Sequence, residues 1–295
     1  MKDVANKQEE VRQFWDGKPC DSELSGKDPR TKDYFLEIEN ERYKYQSHIP
    51  QLLAQIDLQG KRTLEIGTGV GTDARKIVEL GGIYTGINVD AGSVDMTAKA
   101  LSVFSVPGEV KLCSATDMSF ENESFDVVYS FGVLHHIPEV EKAVAEIQRV
   151  LKPGGKLFVM LYNKSSINYY VEILFLRKLF LLLLLLPGVI RVLHFLGLPR
   201  EKLERHAEIY RNSKKMFAQE WLSRNTDGPD NPYSRVYGRK ESEKLLRGFV
   251  VVRNEVYFFD YRHWGILGRA MPQSLVNLLG GRWGWHRIVH AVKRS

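Results

Sequence analysis

The segment Leu64–Gly71 holds three glycines at alternate positions, directly after a short apolar run. Glycine permits a tight turn with positive φ and lets a ligand approach the backbone closely. The helix expected to follow offers free N–H groups and the positive end of its dipole. Dinucleotide sites usually read G-x-G-x-x-G, whereas here the third glycine comes two residues after the second and Glu65 precedes the first by two. We therefore expect a nucleotide-type ligand, with a plain strand–helix turn as the alternative.

The elements around this turn alternate between strands and helices. The predicted strands are Thr63–Ile66, Ile83–Val89, Val110–Cys113, Phe125–Ser130, Lys156–Tyr162, Phe249–Phe259 and Trp285–Lys293. Helices are predicted at residues 91–104 and 139–151, and a helix over residues 33–56 is expected to be interrupted near Pro50. This alternation indicates βαβ units and a parallel sheet covered on both faces.

The composition is that of an ordinary globular protein. The 295 residues are 43% hydrophobic and 26% charged, and the two cysteines exclude a disulfide framework or a Cys-rich zinc site. The residues from position 199 onward carry a net charge of +9 and the rest carry −3. The basic part is either a solvated surface or a contact for an anionic partner. The charged N-terminus lacks a secretory apolar core, so a cytoplasmic location is expected.

Three segments resemble the class I S-adenosylmethionine (SAM) dependent methyltransferases, in particular bacterial enzymes that act on small molecules. They are LEIGTGVG, SFENESFDVVYSFGVLHHIPE and LKPGGKLFVMLYN, within residues 60–163. The resemblance implies a Rossmann-like, doubly wound α/β fold with a seven-stranded sheet in the order 3-2-1-4-5-7-6 and an antiparallel last strand. It divides the chain into a helical N-terminal lid (1–56), a SAM-binding core (57–163), an inserted apolar helix and cap (164–244) and C-terminal strands (245–295).

The resemblance also implies which residues contact SAM or its product S-adenosylhomocysteine, with no metal. The implied cofactor residues are Tyr43, Glu65, Gly67, Thr68, Gly69, Gly71, Asn88, Ser114, Ala115, Asp117, Phe131 and Gly132. Asn88 stands where the family has an acid that binds the ribose hydroxyls, and Asp90 is the alternative ligand. Ser114 stands at the usual acid of the adenine segment, with Asp117 as a second candidate. Tyr43 matches an aromatic lid position and otherwise serves packing.

Three residues are candidates for the chemistry of the transfer. His135 and His136 follow the fourth strand and are the nearest plausible bases, if the acceptor arrives protonated. Either histidine could instead pack against or cap a helix. Tyr162 ends the fifth strand, so the rule for open sheets directs it to the substrate crevice.

Two other motifs resemble methyltransferase elements but stand at the wrong place in the chain. Asp230–Tyr233 reads DNPY, an element of amino-methylating DNA enzymes that belongs directly after the fourth strand. Pro19-Cys20 matches the nucleophile dipeptide of cytosine C5 methylation. We expect both in loops, where they could still line the pocket.

Residues 174–198 are unusually rich in leucine. Twelve uncharged residues separate Lys178 from Arg191, and Pro187 interrupts them, which is too short for a single-pass anchor. Three interpretations stay open: a core helix between the fifth and sixth strands, a lid or surface that lies on lipid, or a homodimer interface.

The sequence therefore predicts a methyltransferase acting on a small, lipophilic or aromatic acceptor. The alternatives are a SAM-binding module without catalysis and a methyltransferase acting on a macromolecule. No appended RNA-binding domain is evident, so no nucleic-acid partner is expected.

Overall fold

Within residues 2–212, 218–264 and 268–294, which the computed structural model describes, eight strands form a single mixed sheet. The strands are β1 (Arg62–Ile66), β2 (Ile83–Asn88), β3 (Glu109–Leu112), β4 (Phe125–Phe131), β5 (Leu151–Asn163), β6 (Val236–Tyr237), β7 (Phe249–Tyr257) and β8 (His286–Lys293). Their order is β3-β2-β1-β4-β5-β8-β7, and β8 runs antiparallel to both neighbours. The predicted seven-stranded order with an antiparallel last strand is confirmed. The two-residue strand β6 is an addition that pairs in parallel with the end of β5.

Helices cover both faces of the sheet. The α-helices are α1 (Lys2–Asp16), α2 (Lys32–Tyr45), α3 (His48–Leu53), α4 (Thr72–Glu79), α5 (Ala91–Phe104), α6 (Val140–Val150), α7 (Arg177–Leu184), α8 (Val189–Phe195), α9 (Arg200–Asn212), α10 (Ala218–Arg224), α11 (Arg239–Leu245) and α12 (Gln273–Trp283). Along β4, Val128 joins one apolar cluster while Val127 and Tyr129 join another, as the alternation of a strand requires. Ile147 of α6 packs in the first cluster and Ile77 of α4 in the second. The doubly wound architecture is confirmed.

The N-terminal helices reach over the edge where the parallel strands end. The carboxylate of Asp16 accepts from the backbone N–H groups of Ala91 and Gly92, at 3.0 and 3.1 Å, and so ties the end of α1 to the start of α5. The break predicted near Pro50 falls just before it, between α2 and α3. Pro50 lies in the first turn of α3, where its missing N–H would have no intrahelical acceptor.

The residues after β5 form a helical cap with its own apolar cluster. Nine π-helical residues, Asn168–Leu176, run directly into α7. Leu181 and Leu184 of α7 are buried in the cap cluster with Trp221 of α10.

A sharp bend separates the two apolar helices of the cap. Asn168–Leu184 and Val189–Phe195 meet at 105°, and Gly188 in the turn has a φ of 83°. Among the described residues, no single helix is long and apolar enough to cross a membrane. The two helices of this bent pair together reach the required length and apolar composition.

Candidate functional site

A cavity of about 340 Å³ lies at the carboxyl ends of β1, β2, β4 and β5. The glycine turn forms one end of its lining. Trp15 of α1 and the loop residue Cys20 line another part, and the cap contributes Ile173 and Asp227. Open α/β sheets bind ligands at this edge, in pockets of this size. The cavity is therefore the candidate site.

The glycine turn has the conformation that its spacing predicts. Gly67, Gly69 and Gly71 have φ values of 80°, 54° and 83°. A Cβ at Gly67 would come within 2.1 Å of Val133 Cγ2, and one at Gly71 would approach the Thr97 backbone at 3.1 Å. Gly67 and Gly69 line the cavity with Thr68, whereas Gly71 lies behind the turn and packs on α5.

Glu65 lies at the base of the turn and lines the cavity. Its carboxylate accepts from Tyr84 Oη at 2.6 Å, and the residue is almost wholly buried. Burial, together with the nearby Asp73 carboxylate, raises the pKa of the Glu65 carboxyl well above its ordinary value. Such a group is easily protonated, and it would gain from a cationic ligand group.

Contrary to what the resemblance implied, Tyr43 does not line the cavity. Its hydroxyl donates to Asp73 at 2.9 Å, and its ring packs in the apolar cluster of α3 and α4. The neighbouring Arg42 lines the cavity instead, and it bridges Asp73 and Asp21 at 2.9 and 3.0 Å. Tyr129 also donates to Asp73. This buried network fixes α2 against the start of α4.

Asn88 and Asp90 both line the cavity at the end of β2. The backbone N–H of Val89 donates to Asn88 Oδ1, which leaves the Nδ2 hydrogens of Asn88 as donors. Asp90 caps α5 by accepting from Ser93 N through Oδ1, while its buried Oδ2 has no partner. Burial raises the pKa of Asp90. The two side chains thus present a donor and an acceptor at the position of the predicted ribose site.

The predicted adenine segment is only partly in the cavity. Ser114 and Ala115 line it, whereas Asp117 does not, because it turns back to form an isolated backbone bridge with Ser114. The Ser114 hydroxyl bonds Thr116 Oγ1 at 2.8 Å, and Gln8 of α1 donates to Thr116 at 3.1 Å. The lid therefore contacts this segment directly.

The three predicted catalytic residues form one stack, but only two of them reach the cavity. His135 is fully buried with its ring 3.7 Å from that of Tyr162, and burial lowers its pKa well below the ordinary value. It lies behind Tyr162 and outside the lining. His136 and Tyr162 do line the cavity.

Asp227 of the cap holds Tyr162 and lies beside His136. Tyr162 Oη donates to Asp227 Oδ1 at 2.7 Å, and His136 Nε2 lies 3.5 Å from Oδ2. His136 Nδ1 donates to the carbonyl oxygen of Tyr233 at 2.8 Å, which leaves Nε2 as the nitrogen on the Asp227 side. Trp15 packs edge-on against His136, with ring centroids 5.4 Å apart.

A second histidine pair reaches the site from distant parts of the chain and was missed in the sequence. His286 at the start of β8 lines the cavity, and its Nδ1 lies 2.9 Å from His48 Nε2. Burial lowers the pKa of His48 to about 3 and also lowers that of His286, so both rings are neutral at pH 7. The ring of Phe131, a predicted cofactor residue, meets His286 edge-on at 5.4 Å, and Gly132 follows it in the lining.

Both misplaced motifs lie in loops beside the site. Cys20 lines the cavity. Asn231 does not, but its Nδ2 donates to Asp227 at 3.2 Å and so steadies the carboxylate that holds Tyr162 and lies beside His136. Asp230 points away and pairs with Arg205.

Comparison with known proteins identifies the central part of the chain. Residues 64–159 match the family described as "Methyltransferase domain". A sterol 4-C-methyltransferase from Caenorhabditis elegans is 35% identical over 109 residues, which are 36% of this chain and 32% of that protein. A ubiquinone biosynthesis O-methyltransferase from Xanthomonas oryzae pv. oryzae is 30% identical over 121 residues, or 41% of this chain and 51% of that protein.

The fold is shared over nearly the whole chain. Magnesium protoporphyrin IX methyltransferase from Synechocystis PCC 6803, solved with bound S-adenosylhomocysteine, superposes with a TM-score of 0.55 at 14% identity, covering 97% of this chain and 99% of that one. Residues 64–159 therefore form a methyltransferase domain, set in a fold that the chain shares with this enzyme.

The methyltransferase domain accounts for only part of the cavity. The match spans a third to a half of the length of these two curated relatives, and the family match ends at residue 159. Trp15, Asp227 and His286 lie outside it. The glycine-turn end of the cavity is thus built by the matched domain, and much of the opposite end by segments outside the match.

Proposed function

We propose that the chain transfers a methyl group from SAM to a small, lipophilic acceptor. The observation that carries this proposal is the continuity of the cavity. It runs from the glycine turn at Gly67 and Gly69 to a wall that includes Tyr162, Trp285 and Ile173. A cofactor at the turn and an apolar acceptor against the wall would share one continuous space.

The residues at the turn fit the cofactor. A side chain at Gly67 would collide with Val133, so at this position the turn presents only backbone to a ligand. The unpartnered Asp90 Oδ2 is a buried acceptor that a hydroxyl would satisfy. We propose that Asn88 donates to the ribose hydroxyls and Asp90 accepts from them, and that Ser114 and Ala115 contact the adenine.

SAM supplies a methyl group that is already activated on a sulfonium centre. The chain must therefore place the acceptor in line with that group and exclude water. Trp15 and Cys20 wall the cavity on the lid side, and Ile173 does so on the cap side. Tyr162, held by Asp227, stacks on Trp285 with centroids 4.3 Å apart and gives the acceptor a flat, rigid wall.

Two histidines are positioned to take a proton from an acceptor that arrives protonated. His136 donates through Nδ1, so its Nε2 is the basic nitrogen beside Asp227. When His286 Nδ1 donates to His48, Nε2 of His286 is left as an acceptor. We propose that one of these two nitrogens is the general base; His135 is excluded from this role by its place behind Tyr162.

The acceptor class is supported by the wall and by the relatives. The wall combines aromatic and aliphatic side chains, among them Phe258, Met160 and Ile173. The relatives named above are methyltransferases of a sterol and of ubiquinone biosynthesis. A concave pocket of about 340 Å³ suits a small molecule better than a macromolecule, which would need a longer groove.

Calorimetry with S-adenosylhomocysteine, followed by transfer from methyl-labelled SAM to a bacterial cell extract that is then separated into lipid, RNA and protein fractions, tests the proposal. We expect binding and label in the organic phase. Label in RNA or protein would instead establish a macromolecular acceptor, and binding without transfer to any fraction would establish a module without catalysis.

His136→Asn and His286→Asn test which histidine is the general base. Loss at one of them of about a hundredfold in turnover, with unchanged product affinity, identifies it. His290→Asn, on the same strand as His286 but outside the cavity lining, is the matched control.

We further propose a cytoplasmic location. Cys20 and Cys113 are both free thiols, which fits a reducing compartment.

A further inference from the structure

The outer face of the bent helical pair in the cap is the largest concentration of exposed apolar side chains in the described residues. Twelve of the twenty large hydrophobic side chains that are exposed lie between residues 170 and 198. They are Tyr170, Val171, Phe175, Leu176, Leu179, Leu182, Leu183, Leu186, Val192, Phe195, Leu196 and Leu198. We call this set the apolar face. Contiguous apolar surface of this extent marks an interaction site rather than ordinary exposed residues.

The exposure of the apolar face does not come from a helix that fails to pack in the cap. The helix α7 already buries its inner side, since Leu181 and Leu184 are 4% and 1% exposed in the cap cluster, and Ile190 and Leu193 of α8 pack half-buried against that cluster. Phe195, by contrast, is 89% exposed. The inner side of the cap is therefore packed, and the apolar side chains of its outer side are exposed and available to a partner. The first of the three sequence interpretations accounts only for the inner side.

The charges along this segment favour one partner. Residues 173–200 contain four Arg or Lys and no Asp or Glu. Arg177 pairs with Glu172 inside the cap, and Lys178 lies over the Trp221 ring, but Arg191 on α8 is exposed among the apolar side chains. A second copy of this chain would bring Arg191 and its apolar neighbours against themselves, and residues 173–200 offer no acid to pair with that arginine. An anionic lipid surface complements both its charge and its apolar character.

We propose that the apolar face docks on an anionic lipid bilayer, with α7 and α8 lying in the interface. The 105° bend sets the two short helices at an angle that suits insertion of their outer side chains better than a straight crossing. The same helical segment lines the cavity, through Glu172, Ile173 and Arg177. Docking would therefore place the cap wall of the cavity next to the bilayer. This contact does not depend on the proposed reaction and is measured without turnover.

Flotation of the full-length protein with phosphatidylcholine vesicles, with and without phosphatidylglycerol, tests the proposal. We expect binding to the anionic vesicles, weakened by salt. Phe195→Glu combined with Leu182→Glu should reduce binding at least about tenfold while the circular dichroism spectrum stays unchanged. Ile83→Glu is the matched control. Ile83 is similarly exposed at 58%, but it begins β2, at the end of the parallel strands that faces away from the cavity. Phe195→Ser alone covers the case in which the double variant fails to fold.

Four outcomes would overturn the proposal. They are failure of the wild-type protein to float, equal binding by the wild-type and double variants, loss of a concentration-dependent dimer in the double variant with vesicle binding unchanged, and extraction from vesicles by detergent but not by carbonate. The third would assign the apolar face to a second copy, and the fourth to a membrane crossing by the bent pair.

Discussion

At the scale of single residues, Gly67 separates two reasons for a glycine that are usually confounded. Its φ is 80°, and a Cβ there would also meet Val133 Cγ2 at 2.1 Å. Gly154 has a similar φ of 73° but nothing within 4 Å of the same added atom. We expect Gly67→Ala to lower S-adenosylhomocysteine affinity at least about tenfold in calorimetry, because Val133 or the turn itself must shift. Gly154→Ala should cost only the backbone strain, on the order of 1 kcal/mol of unfolding free energy.

The double variant Gly67→Ala/Val133→Ala completes this test. If crowding is the cause, removal of the Val133 methyl groups should restore much of the lost affinity, and the two effects should be strongly non-additive. Additive losses would contradict the crowding argument.

The ribose site gives a second prediction at this scale. Asn88→Ala removes the free amide hydrogens, and Asp90→Asn removes the charge of the unpartnered Oδ2 while an asparagine still caps α5. We expect each to weaken S-adenosylhomocysteine binding by about 1–2 kcal/mol, the usual size of a lost hydrogen bond to a partly buried group. Denaturant unfolding of the ligand-free protein is the control, and it should change little. If Asp90→Asn binds normally while Asn88→Ala does not, Asn88 alone is the ligand, as the sequence resemblance implied.

The resemblance located the turn but could not orient side chains on the helix beside it. Successive helical residues differ by about 100° in direction. Tyr43 was predicted at the cofactor, yet Arg42, one position earlier, is the residue that lines the cavity. The Asp73 carboxylate decides this, because it accepts from both side chains and so holds Tyr43 back in the core. No periodicity in ENERYKY shows which residue would meet it.

At the scale of elements, the sequence predicted the strands to within a few residues at most ends, because each is a run of apolar residues bounded by turn residues. β5 starts five residues earlier than predicted, at Leu151, because Leu151 already pairs with Phe125 and the pairing resumes at Lys156 after an irregularity. The two-residue β6 carries too little pattern to be recognised. It nonetheless matters, because it anchors the loop that bears Asp227 beside Tyr162.

The lid helix offers an element-scale prediction. Asp16 joins α1 to the start of α5 by accepting hydrogen bonds from two backbone N–H groups. We expect these two bonds to keep Trp15 and Gln8 over the cavity. We expect Asp16→Ala to make α1 more sensitive to limited proteolysis and to weaken S-adenosylhomocysteine binding several-fold, since the lid must then be ordered on binding. Glu9→Ala removes an exposed acid of the same helix that pairs only within α1, and it should change neither measurement. Equal protection in both variants would mean that Asp16 does not hold the lid.

At the scale of the whole molecule, the site depends on contacts that span almost the full chain. His48 and His286 are 238 residues apart and meet at 2.9 Å only because β8 inserts beside β5. The order of the sheet was expected from the resemblance, but the pairing of two particular histidines across it was not, since it depends on the exact register of β8 and the position of α3. Residues of the shared domain were accessible to sequence reasoning, and residues contributed by the lid, cap and last strand were not.

The histidine pair also predicts how stability depends on pH. Burial lowers the pKa of His48 to about 3, whereas a histidine in an unfolded chain titrates near 6.5. Between these values the unfolded state binds a proton that the folded state does not, so this contribution is complete above about pH 7 and is lost as the pH falls through the window. Glu65 and Asp90, whose pKa values are raised by burial, act in the opposite direction. The His48 contribution must therefore be measured as a difference between variants.

We expect the unfolding free energy of the wild-type protein relative to His48→Asn to be constant above about pH 7 and to fall by about 2 kcal/mol by about pH 5. Urea unfolding of both proteins at each pH gives this difference, and any fixed cost of the substitution, such as lost stacking on Tyr257, cancels between the two pH values. Parallel profiles would mean that His48 takes up its proton as readily in the folded protein as in the unfolded one. In that case His286 would have a cation beside it below about pH 6.5, and the neutral pair on which its proposed role as a proton acceptor rests would be lost there.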